Sequence, residues 1–168
     1  MTDYTDLEFA ADQIRKDKIS IQQFAKNIDS QGKREQILEQ LHNRLSDRTF
    51  ISERSLYCSL IKEFNCKESL PILWEMIGRD ETKGRRGSLV YAMENMNPID
   101  YLEKLVDLAI VDNYEVLCNA IGVIDGIEGF IDQMILSNCR NKIINALAKP
   151  MPEWRRAALE LLLEEFQE

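Results

Sequence analysis

The chain has 168 residues, of which 45% are hydrophobic and 30% are charged, with 7 glycines and 4 prolines. This length supports one hydrophobic core, and the composition is typical of neither disordered nor fibrous proteins. The longest apolar runs are short, as at 108–111, whereas a membrane span needs about 18 apolar residues. No membrane span is therefore predicted. The first residues are acidic, so no signal peptide is predicted either.

The formal net charge of −8 comes from 29 acidic and 21 basic residues. Segments 1–93 and 133–168 are each neutral, whereas segment 94–132 holds nine acidic residues and one lysine. The whole surplus of negative charge therefore lies within 39 residues. Such a cluster attracts basic partners and repels nucleic acids and anionic membranes. The alternative is a solvated surface that only keeps the protein in solution.

Apolar residues recur every three or four positions along most of the chain, which is the period of an α-helix. The apolar stripes lie at 7–14, 37–45, 56–64, 70–77, 89–96, 102–109, 116–124, 143–147 and 158–166. Helix-breaking or capping residues separate them at 30–32, 97–98, 112–113 and 149–152. The sequence predicts an all-α protein whose short connections make neighbouring helices antiparallel.

The predicted helices also repeat. A shift of 32 residues places the apolar positions of 64–77 on those of 96–109, and a shift of 28 places 89–93 on 117–121. An insertion is expected around 127–137. Helical hairpins of about 30 residues cannot bury their apolar faces alone and stack on their neighbours. This pattern favours an α-solenoid, with an irregular helical bundle as the alternative.

Segments 66–77 and 115–122 resemble the second and first helices of short HEAT repeats, and Ala120-Ile121-Gly122 is similar to the Ala-Leu-Gly of that repeat. The resemblance covers roughly residues 52–168. It implies antiparallel helical hairpins stacked as a short HEAT-like α-solenoid. We therefore expect a single domain over 1–168, with N-terminal capping helices in 1–50 and HEAT-like hairpins in 51–168.

The sequence holds little material for catalysis or for a cofactor. His42 is the only histidine, which leaves no Ser/His/Asp, Cys/His or zinc arrangement. The basic loop 83–87 lacks the strand-to-helix context of a phosphate site. The widely spaced cysteines lie beside apolar residues, as buried cysteines of a reducing cytoplasm do: Cys58, Cys66, Cys118 and Cys139. No metal, cofactor or catalytic residue is predicted.

The acidic residues show a regular spacing. Asp100, Glu103 and Asp107 fall at i, i+3 and i+7 of a helix predicted over 98–111, on a face away from its apolar stripe. The same spacing recurs at 125, 128 and 132. A metal site would need a loop of converging oxygens, and a catalytic carboxylate pair would need a pocket. The third interpretation is an acidic docking surface for a protein.

Tyr91, Tyr101 and Tyr114 lie near this acidic segment and are aromatic residues of the kind enriched at interfaces, although tyrosines at helical spacing also serve as half-buried packing. The predicted partner-binding residues are Asp100, Glu103, Asp107, Asp112, Glu115, Asp125, Glu128, Asp132, Tyr101 and Tyr114.

Small, acidic helical-repeat chains of this kind resemble the immunity proteins of bacterial contact-dependent and polymorphic toxin systems, whose toxins are often basic nucleases. The resemblance implies a cytoplasmic, non-enzymatic inhibitor that forms a 1:1 complex with a cognate basic toxin domain and binds neither nucleic acid nor membrane. A second hypothesis is a scaffold or adaptor for a cellular protein. A third, a HEAT-like DNA glycosylase, would need a basic groove, and none of the three segments counted above, 1–93, 94–132 and 133–168, carries a positive surplus.

Overall fold

The computed structural model describes residues 6–47 and 53–166, and within them the regular structure is helical, with no strand. The all-α prediction is confirmed. The α-helices of these residues are α1 (Leu7–Arg15), α2 (Ile21–Ser30), α3 (Arg34–Ser46), α4 (Arg54–Phe64), α5 (Leu70–Gly78), α6 (Gly87–Tyr91), α7 (Leu102–Val111), α8 (Tyr114–Asp125), α9 (Gln133–Leu147) and α10 (Glu153–Glu164). Short 3-10 turns occupy Lys67–Ser69, Asp80–Thr82 and Ile99–Tyr101.

Side-chain caps set several helix boundaries. Ser20, Asn113 and Asp132 each precede a helix, and a side-chain oxygen of each accepts a backbone N–H from the first turn. Gly32 follows α2 with a φ of 65°, a left-handed conformation that favours glycine. The breaks predicted at 30–32 and 112–113 are therefore confirmed.

Several boundaries differ from the expectation. The helix of the apolar stripe 89–96 ends already at Tyr91. The helix predicted over 98–111 begins as the 3-10 turn Ile99–Tyr101 and becomes α-helical only at Leu102. The insertion expected around 127–137 is shorter, because residues 126–132 connect α8 to α9 and α9 already begins at Gln133. Asp132 supplies the cap that starts α9 at this point.

The helices pack in two rows. In one row α2, α4, α6, α8 and α10 each contact the next, and in the other α1 contacts α3, α3 contacts α5, and α7 contacts α9. Trp74 of α5 and Tyr101, just before α7, stack with their ring centroids 5.3 Å apart and join these two parts of the second row. The rows contact each other at α2–α3, α3–α4, α5–α6, α7–α8 and α9–α10. The fully buried core residues lie in both rows: Leu41, Ile61, Leu73, Leu105, Leu117 and Leu159.

Polar contacts link each helical pair to the next one along the chain. They join groups 30 to 35 residues apart: Arg34 with the carbonyl of Phe64, Lys62 with Glu94, Asn97 with the backbone of Glu128, Asn119 with the carbonyl of Gly87, and Lys142 with Asp107. Each pair of helices is thus held in register by the pair that follows it.

The boundary expected at residue 50 between capping helices and hairpins lies outside the described residues, as do residues 1–5, 167 and 168. In the described part of the chain, every helix is too short or too polar to cross a lipid bilayer.

Candidate docking surface around α7 and α9

A groove of about 470 Å³, here called the α7–α9 groove, opens between the N-terminal ends of α7 and α9. Its apolar part consists of buried Leu102 and half-buried Ile99, Ile131 and Ile135. Its polar lining comes from Asp100, Glu103, Lys104 and Asp132, and exposed Phe130 completes it. Residues from two separate segments, 99–104 and 130–135, therefore form one surface.

Local backbone features place the two sides of the α7–α9 groove. Asp100 lies in the 3-10 turn that precedes α7, and Asp132 caps α9 by accepting the N–H of Met134 at 2.7 Å. Between them, the side-chain amide of Asn97 accepts the N–H of Glu128 at 3.0 Å and donates to its carbonyl at 2.9 Å. These bonds fasten the 126–132 connection to the segment that leads into α7.

Glu103 and Asp107 lie on α7 as predicted, but both are paired with one lysine of α9. Lys142 Nζ lies 3.2 Å from a Glu103 carboxylate oxygen and 2.9 Å from one of Asp107. Partial burial lowers the pKa of Lys142, but its hydrogen bonds to these two carboxylates outweigh that effect and raise the pKa above its ordinary value. The pairing of Lys142 with these carboxylates was not predicted from the sequence, because Lys142 lies 35 residues from Asp107 in the neutral segment 133–168.

Asp112 is part of the packing and does not face solvent. Its carboxylate lies 2.9 Å from the guanidinium of Arg86, and the two side chains are only 9% and 14% exposed. The other carboxylate oxygen accepts the N–H of Asn113, and the guanidinium of Arg155 donates to the Asp112 carbonyl. Asp112 therefore connects three parts of the fold and is a poor candidate for contacting a partner.

The second predicted acidic stripe does not lie on one helix. Asp125 is the last residue of α8, Glu128 lies in the connection and Asp132 is the cap of α9. The i, i+3, i+7 spacing crosses a helix end, so it cannot define a helical face. All three side chains are nevertheless exposed, and only Asp132 lines the α7–α9 groove.

Glu115 and Tyr114 lie on α8, in the other row of helices. The Glu115 carboxylate lies against Gly87 at the start of α6, where a Cβ would come within 2.2 Å of Glu115 Cδ. Tyr114 is 60% exposed and packs edge-on against Trp154 of α10, with a centroid distance of 5.4 Å. Neither residue is brought to the α7–α9 groove.

Tyr101 serves as half-buried packing, the alternative considered for the tyrosines. Its ring stacks on Trp74, and Lys104 Nζ lies 5.2 Å from the Tyr101 centroid and 5.8 Å from the Trp74 centroid. The ammonium group of Lys104 is thus drawn towards these rings. Tyr91, on α6, is covered in a similar way by Lys62 at 3.7 Å.

The most exposed apolar side chains near the acidic residues were not predicted. Phe130 is 86% exposed and Met134 is 72% exposed, on either side of Asp132. Phe130 lies in the connection that the sequence marks only as an insertion, so helical periodicity assigns it no face. The available signal was an aromatic residue in a non-helical segment rich in glycine and acidic residues.

Within residues 6–47 and 53–166, no three histidine, cysteine or carboxylate side chains are grouped to hold a metal ion. Comparison of the chain with known protein families, with curated proteins and with solved structures finds no match. A proposal about function therefore depends on the charge and geometry described above.

Proposed function

We propose that the chain is a short HEAT-like α-solenoid that binds a basic protein through the acidic surface around α7 and α9. Two features support the solenoid. Each helix contacts the helix two places further along the chain, except that α5 and the turn before α7 are joined by the stack of Trp74 on Tyr101. Polar contacts also recur between groups about one hairpin apart. More particularly, we propose an immunity protein that acts in the cytoplasm and blocks a cognate bacterial toxin in a 1:1 complex.

The α7–α9 groove is the observation that carries the proposal. Asp100 and Asp132 reach it from different segments, both are exposed, and neither forms an ion pair within the described residues. Phe130 presents an aromatic surface in the same groove. Exposed carboxylates speed the association of a basic partner, and an apolar anchor contributes affinity, so the two together suit a protein interface.

A basic nuclease is the toxin class that fits this surface best. Such an enzyme presents lysine and arginine where it holds phosphates, and carboxylates of an inhibitor can occupy the same positions. The net charge of −8 in segment 94–132 also disfavours direct binding of nucleic acid by this chain.

The direct test first asks whether the adjacent upstream gene ends in a toxin domain and then co-expresses that domain with the chain. We expect growth rescue and a 1:1 complex whose mass is measured by light scattering after size-exclusion chromatography. A toxin that still kills in the presence of this chain, with no complex formed, would contradict the proposal. A complex with a non-toxic cellular protein would instead support the scaffold alternative.

The role of charge is tested with two variants of equal charge. The first neutralises four exposed carboxylates around α7–α9, at Asp100→Asn, Asp125→Asn, Glu128→Gln and Asp132→Asn. The control neutralises four on α10 and its C-terminal end, at Glu153→Gln, Glu160→Gln, Glu164→Gln and Glu165→Gln. At low salt we expect the first set to slow toxin association about tenfold more than the control, with the difference shrinking as salt screens the charges. Equal slowing by both sets would place the docking surface elsewhere.

A further inference from the structure

We propose that the α7–α9 groove receives an apolar side chain of the partner, carried on a segment in which lysine or arginine flanks that side chain. The inference rests on the proposed function, since it takes the partner to be a basic protein. It goes further by naming the groove as the point of contact and by stating the chemistry of the segment that enters it.

Phe130 supplies an exposed apolar surface to the α7–α9 groove. Its side chain is 86% exposed although half-buried Ile99, Ile131 and Ile135 line the same groove. A partner side chain laid against this ring removes apolar surface of both molecules from water. Large aromatic residues beside a concave apolar surface are typical anchors of protein interfaces.

The backbone that carries Phe130 is held in place before any partner binds. Asn97 makes two hydrogen bonds to the backbone of Glu128, and Gly129 has a φ of 115°, a conformation that side-chain-bearing residues rarely adopt. A Cβ at Gly129 would lie 3.7 Å from Ile99 Cδ1, so the turn also packs closely on the groove. Binding therefore orders little additional chain, which favours affinity.

Two carboxylates of the groove, those of Asp100 and Asp132, remain available to a partner. Glu103 instead shares Lys142 with Asp107, and Lys104, the cation of the groove lining, lies over the rings of Tyr101 and Trp74. Asp100 and Asp132 have no cationic partner in the described part of the chain. Asp132 uses Oδ1 to cap α9, which leaves its second carboxylate oxygen for a cation. The free charge of the groove is therefore negative, as a lysine or arginine of the partner requires.

The test uses a fluorescein-labelled amphipathic peptide of leucine and lysine as the probe, titrated with the full chain by fluorescence anisotropy. Two control peptides replace every leucine by serine or every lysine by glutamate. We expect the leucine–lysine peptide to bind and both controls to bind at least about tenfold more weakly, because each lacks one of the two features. No binding of the leucine–lysine peptide, or equal binding of the controls, would overturn the inference.

Paired variants then locate the bound peptide. Phe130→Ser is expected to weaken binding about tenfold, whereas Leu161→Ser, which changes a 55% exposed residue of α10, leaves it unchanged. Asp100→Asn combined with Asp132→Asn is compared with Glu153→Gln combined with Glu160→Gln, which alters the charge equally on α10, away from the groove. Asparagine keeps the cap of α9, so the first pair tests charge and not folding. Equal affinities within either comparison would overturn the groove as the site.

Co-expression with the toxin separates the two proposals. If the wild-type chain fails to rescue growth, the proposed function fails. If the wild-type chain rescues growth and Phe130→Ser forms a complex of undiminished affinity, the proposed function stands and the groove inference is overturned. We expect wild-type rescue together with a complex at least about tenfold weaker for Phe130→Ser than for Leu161→Ser.

Discussion

Arg86 and Asp112 show how one carboxylate of an acidic segment can belong to the interior. Both side chains are more than four-fifths buried, and their charged groups lie 2.9 Å apart. Asp112 also accepts the N–H of Asn113, the residue that caps α8. Removing one member of such a pair leaves the other charge buried without compensation, which costs more than the pair itself contributes.

We therefore expect Asp112→Asn to lower the free energy of unfolding by about 3 kcal/mol, because the amide keeps the shape but leaves Arg86 unpaired. Urea unfolding followed by circular dichroism measures the change. Glu115→Gln is the matched control, since it removes one negative charge at an exposed position three residues away and should change stability by less than about 0.5 kcal/mol. Equal losses for the two variants would contradict the structural role of Asp112.

The four cysteines should differ sharply in reactivity. Cys58 is fully buried, and burial raises the pKa of its thiol to about 12. Cys139 is also buried, and burial followed by the charge of Glu103 raises the pKa of its thiol to about 11. Cys118 is exposed, and Cys66 is half-buried with its thiol donating to Glu68. Since the thiolate is the reactive form, access and pKa act in the same direction.

With a disulfide-exchange reagent at pH 8, we expect Cys118 to react first, Cys66 more slowly, and Cys58 and Cys139 only after denaturant is added. Mass spectrometry of the peptides that carry the mixed disulfide gives the order. A Cys118→Ala variant should lose the fast phase alone. Rapid labelling of Cys58 in the native protein would contradict the packing of α4 described here.

At the scale of elements, two devices shape this region: a salt bridge joins α7 to α9, and a side-chain cap starts α9. Lys142 bridges Glu103 and Asp107 of α7 from the middle of α9. Asp132 starts α9 and sets the position of the α7–α9 groove. In the salt bridge, two carboxylates share one ammonium group. The Asp132 cap accepts a backbone N–H of the first turn that has no partner within the helix.

We expect Asp132→Ala to destabilise the protein by about 1 kcal/mol through loss of the cap, and Asp132→Asn to change stability by only a few tenths of a kcal/mol. Thermal unfolding of the two variants against the wild type measures this difference. Gln133→Ala changes the next, exposed residue and serves as the control for altering the start of α9. If Asp132→Asn were as destabilising as Asp132→Ala, the carboxylate would have a role beyond capping.

For the whole molecule, the shifted groups point to a loss of stability in alkali. Burial raises the pKa of Cys58 to about 12 and of Cys139 to about 11, from an ordinary value of 9.0. For Lys142, partial burial lowers the pKa, but hydrogen bonds to Asp107 and Glu103 raise it above 10.5. In each case the folded pKa exceeds the unfolded one, so the unfolded chain loses its proton first as the pH rises.

The contributions of Cys58, Cys139 and Lys142 to the free energy of unfolding are complete below about pH 9. They are lost as the pH passes through the raised pKa values. The urea midpoint should therefore be nearly constant from pH 7 to pH 8.5 and fall towards pH 11. Cys58→Ala combined with Cys139→Ala should make this fall shallower. A midpoint that stays constant up to pH 11 would contradict the assignment.

Much of the fold could be predicted from residue patterns because helix formation is a local matter. The apolar stripe of α7 at Leu102, Leu105 and Ala109 follows a period of 3.6 residues, and Asn113 accepts a hydrogen bond from the first turn of its own helix. These interactions join groups within a few residues of one another, and they can therefore be seen in the sequence.

The availability of the acidic residues was decided by the tertiary structure. The sequence placed nine carboxylates and one lysine in segment 94–132, and that composition does not change on folding. Packing brought Lys142 to Glu103 and Asp107 and buried Asp112 against Arg86, while Asp100 and Asp132 met at a groove that also contains Phe130. Coulombic attraction, burial and apolar contact depend on distances in space. The members of these ion pairs are 26 to 39 residues apart in the chain, and a non-helical turn brings Phe130 to the groove. Neither arrangement can be seen in a local residue pattern.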